Sequence, residues 1–156
     1  MHPSLFRSSL VRGRMVTVLT VIAMPFAHAG APIPNPCSLV TVVEMQQIVG
    51  PLSETPRATD PSSGEITCSY TPASGPSFVD VSLHDGDLAS LRTTADYKNA
   101  QALPEFGKDA FVSPNFHEYA DLYAKKGNLI VRVTLPMGPK SVDTAKSIAR
   151  KALARM

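Results

Sequence analysis

EYADLYAKKGNLIVRVTL, residues 118–135, carries two strand signatures and the turn between them. The runs 118–125 and 128–135 meet through Lys126, Gly127 and Asn128, a tight link with a glycine available for positive φ. In the second run Leu129, Val131, Val133 and Leu135 alternate with Ile130, Arg132 and Thr134. A two-residue period is what a strand with one buried face requires. The segment therefore predicts an antiparallel hairpin, with Arg132 and Thr134 turned toward solvent or a cleft.

A second hairpin is predicted upstream. EITCSYT (65–71) sets Ile66, Cys68 and Tyr70 on one face. SFVDVSLH (77–84) turns Val79, Val81 and Leu83 inward and Asp80, Ser82 and His84 outward. PASGP (72–76) is the turn between them, and DPSSG (60–64) is the turn before. Residues 52–59 offer a further strand weakened by Pro56, and 103–113 begin as a loop that ends in a short strand.

Three helices complete the pattern. Thr41 and Glu44 form a capping box ahead of the apolar stripe Val42, Met45 and Val49, which Gly50 and Pro51 stop. Asp87 caps a helix over 88–100, with Leu88, Leu91, Ala95 and Tyr97 inward. Ser141 caps a last helix over 142–155, with Val142, Ala145, Ile148, Ala149, Ala152 and Leu153 on one face. Lys146, Arg150, Lys151 and Arg155 lie elsewhere and read as a solvated face. The order α-β-β(-β)-α-β-β(-β)-α describes an α+β domain, a mainly antiparallel sheet covered by helices.

The amino end reads as an export signal. Arg7, Arg12 and Arg14 precede the apolar run MVTVLTVIAMPF (15–26), and Ala27-His28-Ala29 supplies a small-x-small cleavage pattern. A membrane span needs about 20 apolar residues, which this run does not reach. The expected organisation is a signal peptide over 1–29 cut near Ala29/Gly30, a Pro-rich extended leader over 30–36, and one domain over 37–156. The expected location is periplasmic or secreted, with no integral membrane segment after cleavage.

Removing the three signal arginines leaves 12 Lys+Arg against 13 Asp+Glu. No positive excess remains to recruit nucleic acid. Two cysteines, Cys37 and Cys68, survive cleavage, and an oxidising compartment favours their pairing. The alternatives are free thiols or a metal pair, the latter disfavoured because no His pair lies near either cysteine.

The spacing resembles small secreted or lipid-anchored bacterial domains of unknown function. These open with Cys-x-Leu-x-Thr and a Glu three residues on, here Cys37, Leu39, Thr41 and Glu44, and the helix ends near a glycine, here Gly50. A second Cys followed by a Tyr matches Cys68 and Tyr70. FGKDAF (106–111), Lys126-Gly127 and the Ala-rich terminal helix continue the order, so the resemblance covers most of 37–156. It implies a sandwich-like α+β fold and carries over no catalytic residue. No lipid-attachment box precedes Cys37.

Two polar clusters are candidates for chemistry. His84, Asp85 and Asp87 offer an imidazole and two carboxylates for a metal or for acid–base work. The plainer reading is a strand end, a turn and a helix cap. His117 and Glu118 sit among Phe106, Phe111, Phe116, Tyr119 and Tyr123, which could line a pocket but more often fill a core. Zinc-helix, phosphate-loop and nucleophile-elbow motifs are absent, and nothing calls for a cofactor. The expected function is a non-enzymatic binding or protein-interaction module, its partner an unknown protein or small-molecule ligand. The alternatives are a small hydrolase or metal-dependent enzyme using either polar cluster, and an inhibitor or assembly factor presenting an apolar face.

Overall fold

The capping box at Thr41 forms. The Glu44 amide donates to the Thr41 hydroxyl at 3.3 Å, and the Thr41 amide donates to the Glu44 carboxylate at 3.1 Å. Helix α1 (Val42–Val49) follows and stops at Gly50, where φ is 87°. Thr41→Ala is expected to cost about 1 kcal/mol. The check is a lower urea midpoint at an unchanged m-value.

The structure, a computed structural model, describes residues 33–59, 64–94, 97, 99–116 and 118–156, with backbone alone at 114–116. The predicted signal peptide, the start of the leader, most of the 60–64 turn and His117 lie outside the described residues.

Among the described residues seven strands form one sheet: β1 (Arg57–Ala58), β2 (Glu65–Tyr70), β3 (Val79–Asp85), β4 (Gln101–Ala102), β5 (Phe111–Phe116), β6 (Tyr119–Lys126) and β7 (Leu129–Pro136). Their order is β1-β2-β3-β7-β6-β5-β4, and every neighbouring pair is antiparallel. Both predicted hairpins are present, and β7 returns to lie beside β3. In the β6–β7 turn Gly127 takes φ 61°, and Lys126 pairs with Leu129 across a two-residue loop.

Register explains the core. One row across the sheet reads Cys68, Val81, Val133, Leu122, Val112, and all five are fully buried. Helix α3 (Ser141–Arg155) lies on this face over β6 and β7, seating Ala145, Ile148, Ala149 and Ala152. Their i, i+3, i+4, i+7 spacing makes a single stripe, and the alanines permit close approach. Met45 of α1 joins the same core.

Three ties hold the chain start to this layer. Cys37, in the 3₁₀ turn Pro36–Ser38, forms the disulfide with Cys68 of β2, Cα atoms 5.1 Å apart. The buried Tyr70 hydroxyl donates to the Val40 carbonyl at 2.6 Å, and its own burial pushes its pKa up to about 12. Arg155 donates to the Leu39 carbonyl at 2.8 Å and pairs with Glu44 at 2.8 Å. Hydrogen bonding from Arg155, then from the Thr41 amide, holds the Glu44 carboxyl down at about 2.

The opposite face carries a smaller cluster. Helix α2 (Leu88–Arg92) covers one end of it, where Leu88, Phe111, Tyr123 and Ile130 are buried together and Leu91 and Tyr97 pack against them. The sequence predicts this helix over 88–100, but its α-helical turns end at Arg92. The Thr93 and Thr94 hydroxyls bond back to the Ser90 and Leu91 carbonyls, a local alternative to the helical ladder that β-branched residues favour.

Three further expectations are corrected. Residues 52–59 yield only a Leu52–Pro72 bridge and the two residues of β1, as Pro56 requires. Ser141 does not cap α3: its hydroxyl donates to the Pro136 carbonyl at 2.7 Å, and Lys140 occupies the cap position without a side-chain bond. The basic residues of α3 are engaged rather than simply solvated. Lys151 and Arg155 meet Glu44, Lys146 meets Glu105 at 3.0 Å, and Arg150 lies over the Phe106 ring.

Candidate functional site

Shifting one residue along each strand moves from the core row to the outer face of the sheet. There the rows read Thr67, Ser82, Arg132, Tyr123, Phe111 and Ser69, Asp80, Thr134, Asp121, Ser113. Arg132 is the hub. Its Nε donates to Asp121 at 3.2 Å and to Thr134 at 2.9 Å, its terminal nitrogen pairs with Glu65 at 3.4 Å, and its guanidinium lies over Tyr123. Thr134 in turn donates to Asp121 at 2.6 Å. Arg132 is half-buried as expected of a cleft residue, but Thr134 and Asp121 are fully covered. Thr134 is buried because it bridges the guanidinium and the carboxylate. The Arg132 cation is thus shared between two carboxylates and a hydroxyl.

His84 stands at one end of this face, beside Glu65 on β2 and Ile130 on β7. Asp85 is exposed. The Asp87 carboxylate accepts the Ala89 and Ser90 amides and the Ser90 hydroxyl, so it caps α2. A cavity of about 240 Å³ adjoins it, lined by Asp87, Lys108, Asp109 and Lys125 among others. That is below the usual small-molecule range of about 300–1,000 Å³. Among the described residues no three His, Cys, Asp or Glu side chains come together to hold a metal.

Glu118 lies far from this cluster. It follows the β5 strand, is exposed, and takes φ 65°. Its neighbour Tyr119 pairs with Pro136, whereas His84 pairs with Ile130 on the same strand. Six residues of β7 separate the two ends, roughly 20 Å at about 3.3 Å per residue. His84 and Glu118 therefore do not converge. Of the aromatics, Phe106 joins the main core, Phe111 and Tyr123 join the outer cluster, and Tyr119 packs edge-on against Phe78.

Burial lowers the His84 pKa below its ordinary 6.5, with Glu65 opposing, and its Nδ1 is buried without a hydrogen-bond partner. The unfolded chain then takes up a proton near pH 6.5 that the native imidazole resists. Stability is expected to fall as pH drops from 6.5 toward the lowered native value. His84→Phe should abolish this part of the acid dependence in urea titrations at pH 7 and pH 5, and a native His84 titration at or above 6.5 by NMR would contradict it.

A larger concavity than the one beside Asp87 lies elsewhere. An open groove of about 690 Å³ runs between the end of α1, the β2–β3 turn, and the β7–α3 loop. Ile48, Val49, Pro76, Leu135, Pro136 and Met137 give it an apolar lining. Local chemistry shapes each wall. Gly50 and Pro51 end α1, the PASGP turn carries Pro76 in, and the Met137 amide donates to the Glu118 carbonyl at 2.8 Å. The backbone of Glu118 thus positions a groove wall, a role that its side-chain chemistry did not suggest. The sequence signal for the groove is the proline pair Pro136 and Pro139 around an exposed Met137.

No family model, curated protein or solved structure matches the chain. No helix of the described residues is long and apolar enough to cross a membrane.

Proposed function

We propose that the chain is an exported binding module, cut near Ala29/Gly30 and working in the periplasm or outside the cell, and that its binding surface is the apolar groove. The groove carries this reading: at about 690 Å³ it falls within the volume range of small-ligand sites, and its lining is mainly apolar. The disulfide between Cys37 and Cys68 supports export, because such bonds persist in oxidising compartments. The same reading places the chain with the small secreted bacterial domains that it resembles through Cys37, Leu39, Thr41, Glu44, Cys68 and Tyr70. The rival reading, an enzyme using His84, Asp85 and Asp87 or else His117 and Glu118, has to work from one cluster alone, because His84 and Glu118 lie at opposite ends of the sheet.

The test uses the full chain expressed with its own leader. Intact mass of the periplasmic product is expected to begin at Gly30 with both thiols blocked to alkylation. A thermal-shift panel of small ligands and peptides is expected to give stabilisation that Thr144→Trp, which fills the groove, removes. Retention of Met1, or hydrolysis of ester, phosphate or glycoside reporters that His84→Ala or Glu118→Ala abolishes, would overturn the proposal.

A further inference from the structure

Resting on that reading, the geometry points to the occupant of the groove: we infer that it takes a monomeric single-chain amphiphile with one anionic head, a long-chain carboxylate, whose tail lies along the apolar walls and whose head meets Lys140. Among the described residues lining the groove, Lys140 alone is charged. It is exposed and joins none of the ion pairs that engage Arg132, Lys146, Lys151 and Arg155. A single unspent cation at the rim of a neutral, apolar trough complements a ligand with one negative charge and a hydrocarbon body. Ser141 and Thr144 from the first turn of α3 stand beside it, at the end where the helix dipole is positive.

At six wall positions an added peptide strand finds no free backbone donor. Peptides added to a protein surface draw affinity from main-chain hydrogen bonds. Pro76, Pro136 and Pro139 have no amide hydrogen to give. The Met137, Ser141 and Thr144 amides already donate to Glu118, Gly138 and Lys140 carbonyls. A hydrocarbon tail asks for none of these bonds, and each methylene buried on Ile48, Val49, Leu135 and Met137 adds to its affinity.

The experiment titrates the processed periplasmic protein with decanoate, decanol and decyltrimethylammonium, each below its micelle concentration, by calorimetry and by the Met137 methyl shift. Decanoate is expected to bind tightest. Lys140→Glu is expected to weaken decanoate by roughly tenfold and to favour the cationic analogue. Thr144→Trp is expected to abolish all three, and Ser77→Trp, filling the groove from the facing wall, repeats the test should the first variant fold poorly by circular dichroism. Equal affinity for the three probes, indifferent to Lys140 but blocked by the tryptophans, would overturn the anionic head while leaving the groove a binding site. A peptide hit blocked by the tryptophans with no amphiphile bound would overturn the amphiphile and spare the binding-module reading. Ligands that bind regardless of both tryptophans would sink the groove itself. Sedimentation with phosphatidylglycerol vesicles and no decanoate binding would replace the monomer with a membrane surface and so overturn the inference.

Discussion

Replacing Cys37 and Cys68 together by serine is expected to lower the unfolding free energy by about 3–4 kcal/mol. The bond spans 31 residues of sequence and so closes a long loop in the unfolded chain, whose lost freedom is restored when the bond goes. It also ties the Pro36–Ser38 turn to the fully buried centre of β2, next to the Val81 pair in β3. Without it, the start of the domain is held by weaker contacts: Tyr70 to Val40, and Arg155 to Leu39 and Glu44. These contacts survive the substitution, so the native fold should persist with the same far-UV spectrum. Urea titration of oxidised wild type and the double-serine variant measures the difference. The variant should also show a steeper m-value, because its unfolded state exposes more surface once the crosslink is gone. An unchanged midpoint would mean that the unfolded chain is already compact over residues 37–68, or that native strain offsets the entropic gain.

How far the sequence disclosed this fold follows from which signals are local. The capping box at Thr41, the glycine turn at Gly127 and the two-faced alternation along β3 and β7 involve residues a few positions apart, and each is present, with Thr134 buried on the outer face rather than open. Compartment chemistry and cysteine count sufficed for the disulfide. The failures lie where tertiary context competes with propensity. The 88–100 stripe was too thin to hold a helix once Thr93 and Thr94 found local carbonyls. Ser141 is a good cap by type, but the Pro136 carbonyl offered its hydroxyl another partner. The candidate site was legible only in fragments. Asp87 behaves as a cap, which its position before Leu88 suggested. The groove joins residues 48–49, 75–77, and 135–141 with 144, three segments distant in sequence, so no local pattern could announce it. The alternation along β7 turned Arg132 outward, but pairing it with Asp121 and Glu65 requires the strand register β2-β3-β7-β6.

That pairing gives the second large expected effect. Arg132→Met should cost about 2–3 kcal/mol, below the roughly 3–5 kcal/mol of a fully buried pair because solvent screens the partly exposed guanidinium. Asp121 is 2 % exposed and Arg132 is its cationic partner, so truncation strands a carboxylate in a low-dielectric setting with the Thr134 hydroxyl alone. Asp121→Leu is expected to be damaging as well, since Thr134 and the guanidinium both lose an acceptor. The double variant Arg132→Met/Asp121→Leu is the most informative of the three: removing both charges replaces an ion pair with apolar side chains beside Tyr123, and it should be more stable than the sum of the single losses predicts. A double-mutant cycle in urea at low and high salt reads the coupling. Coupling that survives high salt marks a desolvated pair, because exposed charges are screened within about 10 Å at 0.1 M. Zero coupling would mean that Asp121 is held by Thr134 and its strand neighbours, with the guanidinium committed instead to Glu65 and the Tyr123 ring.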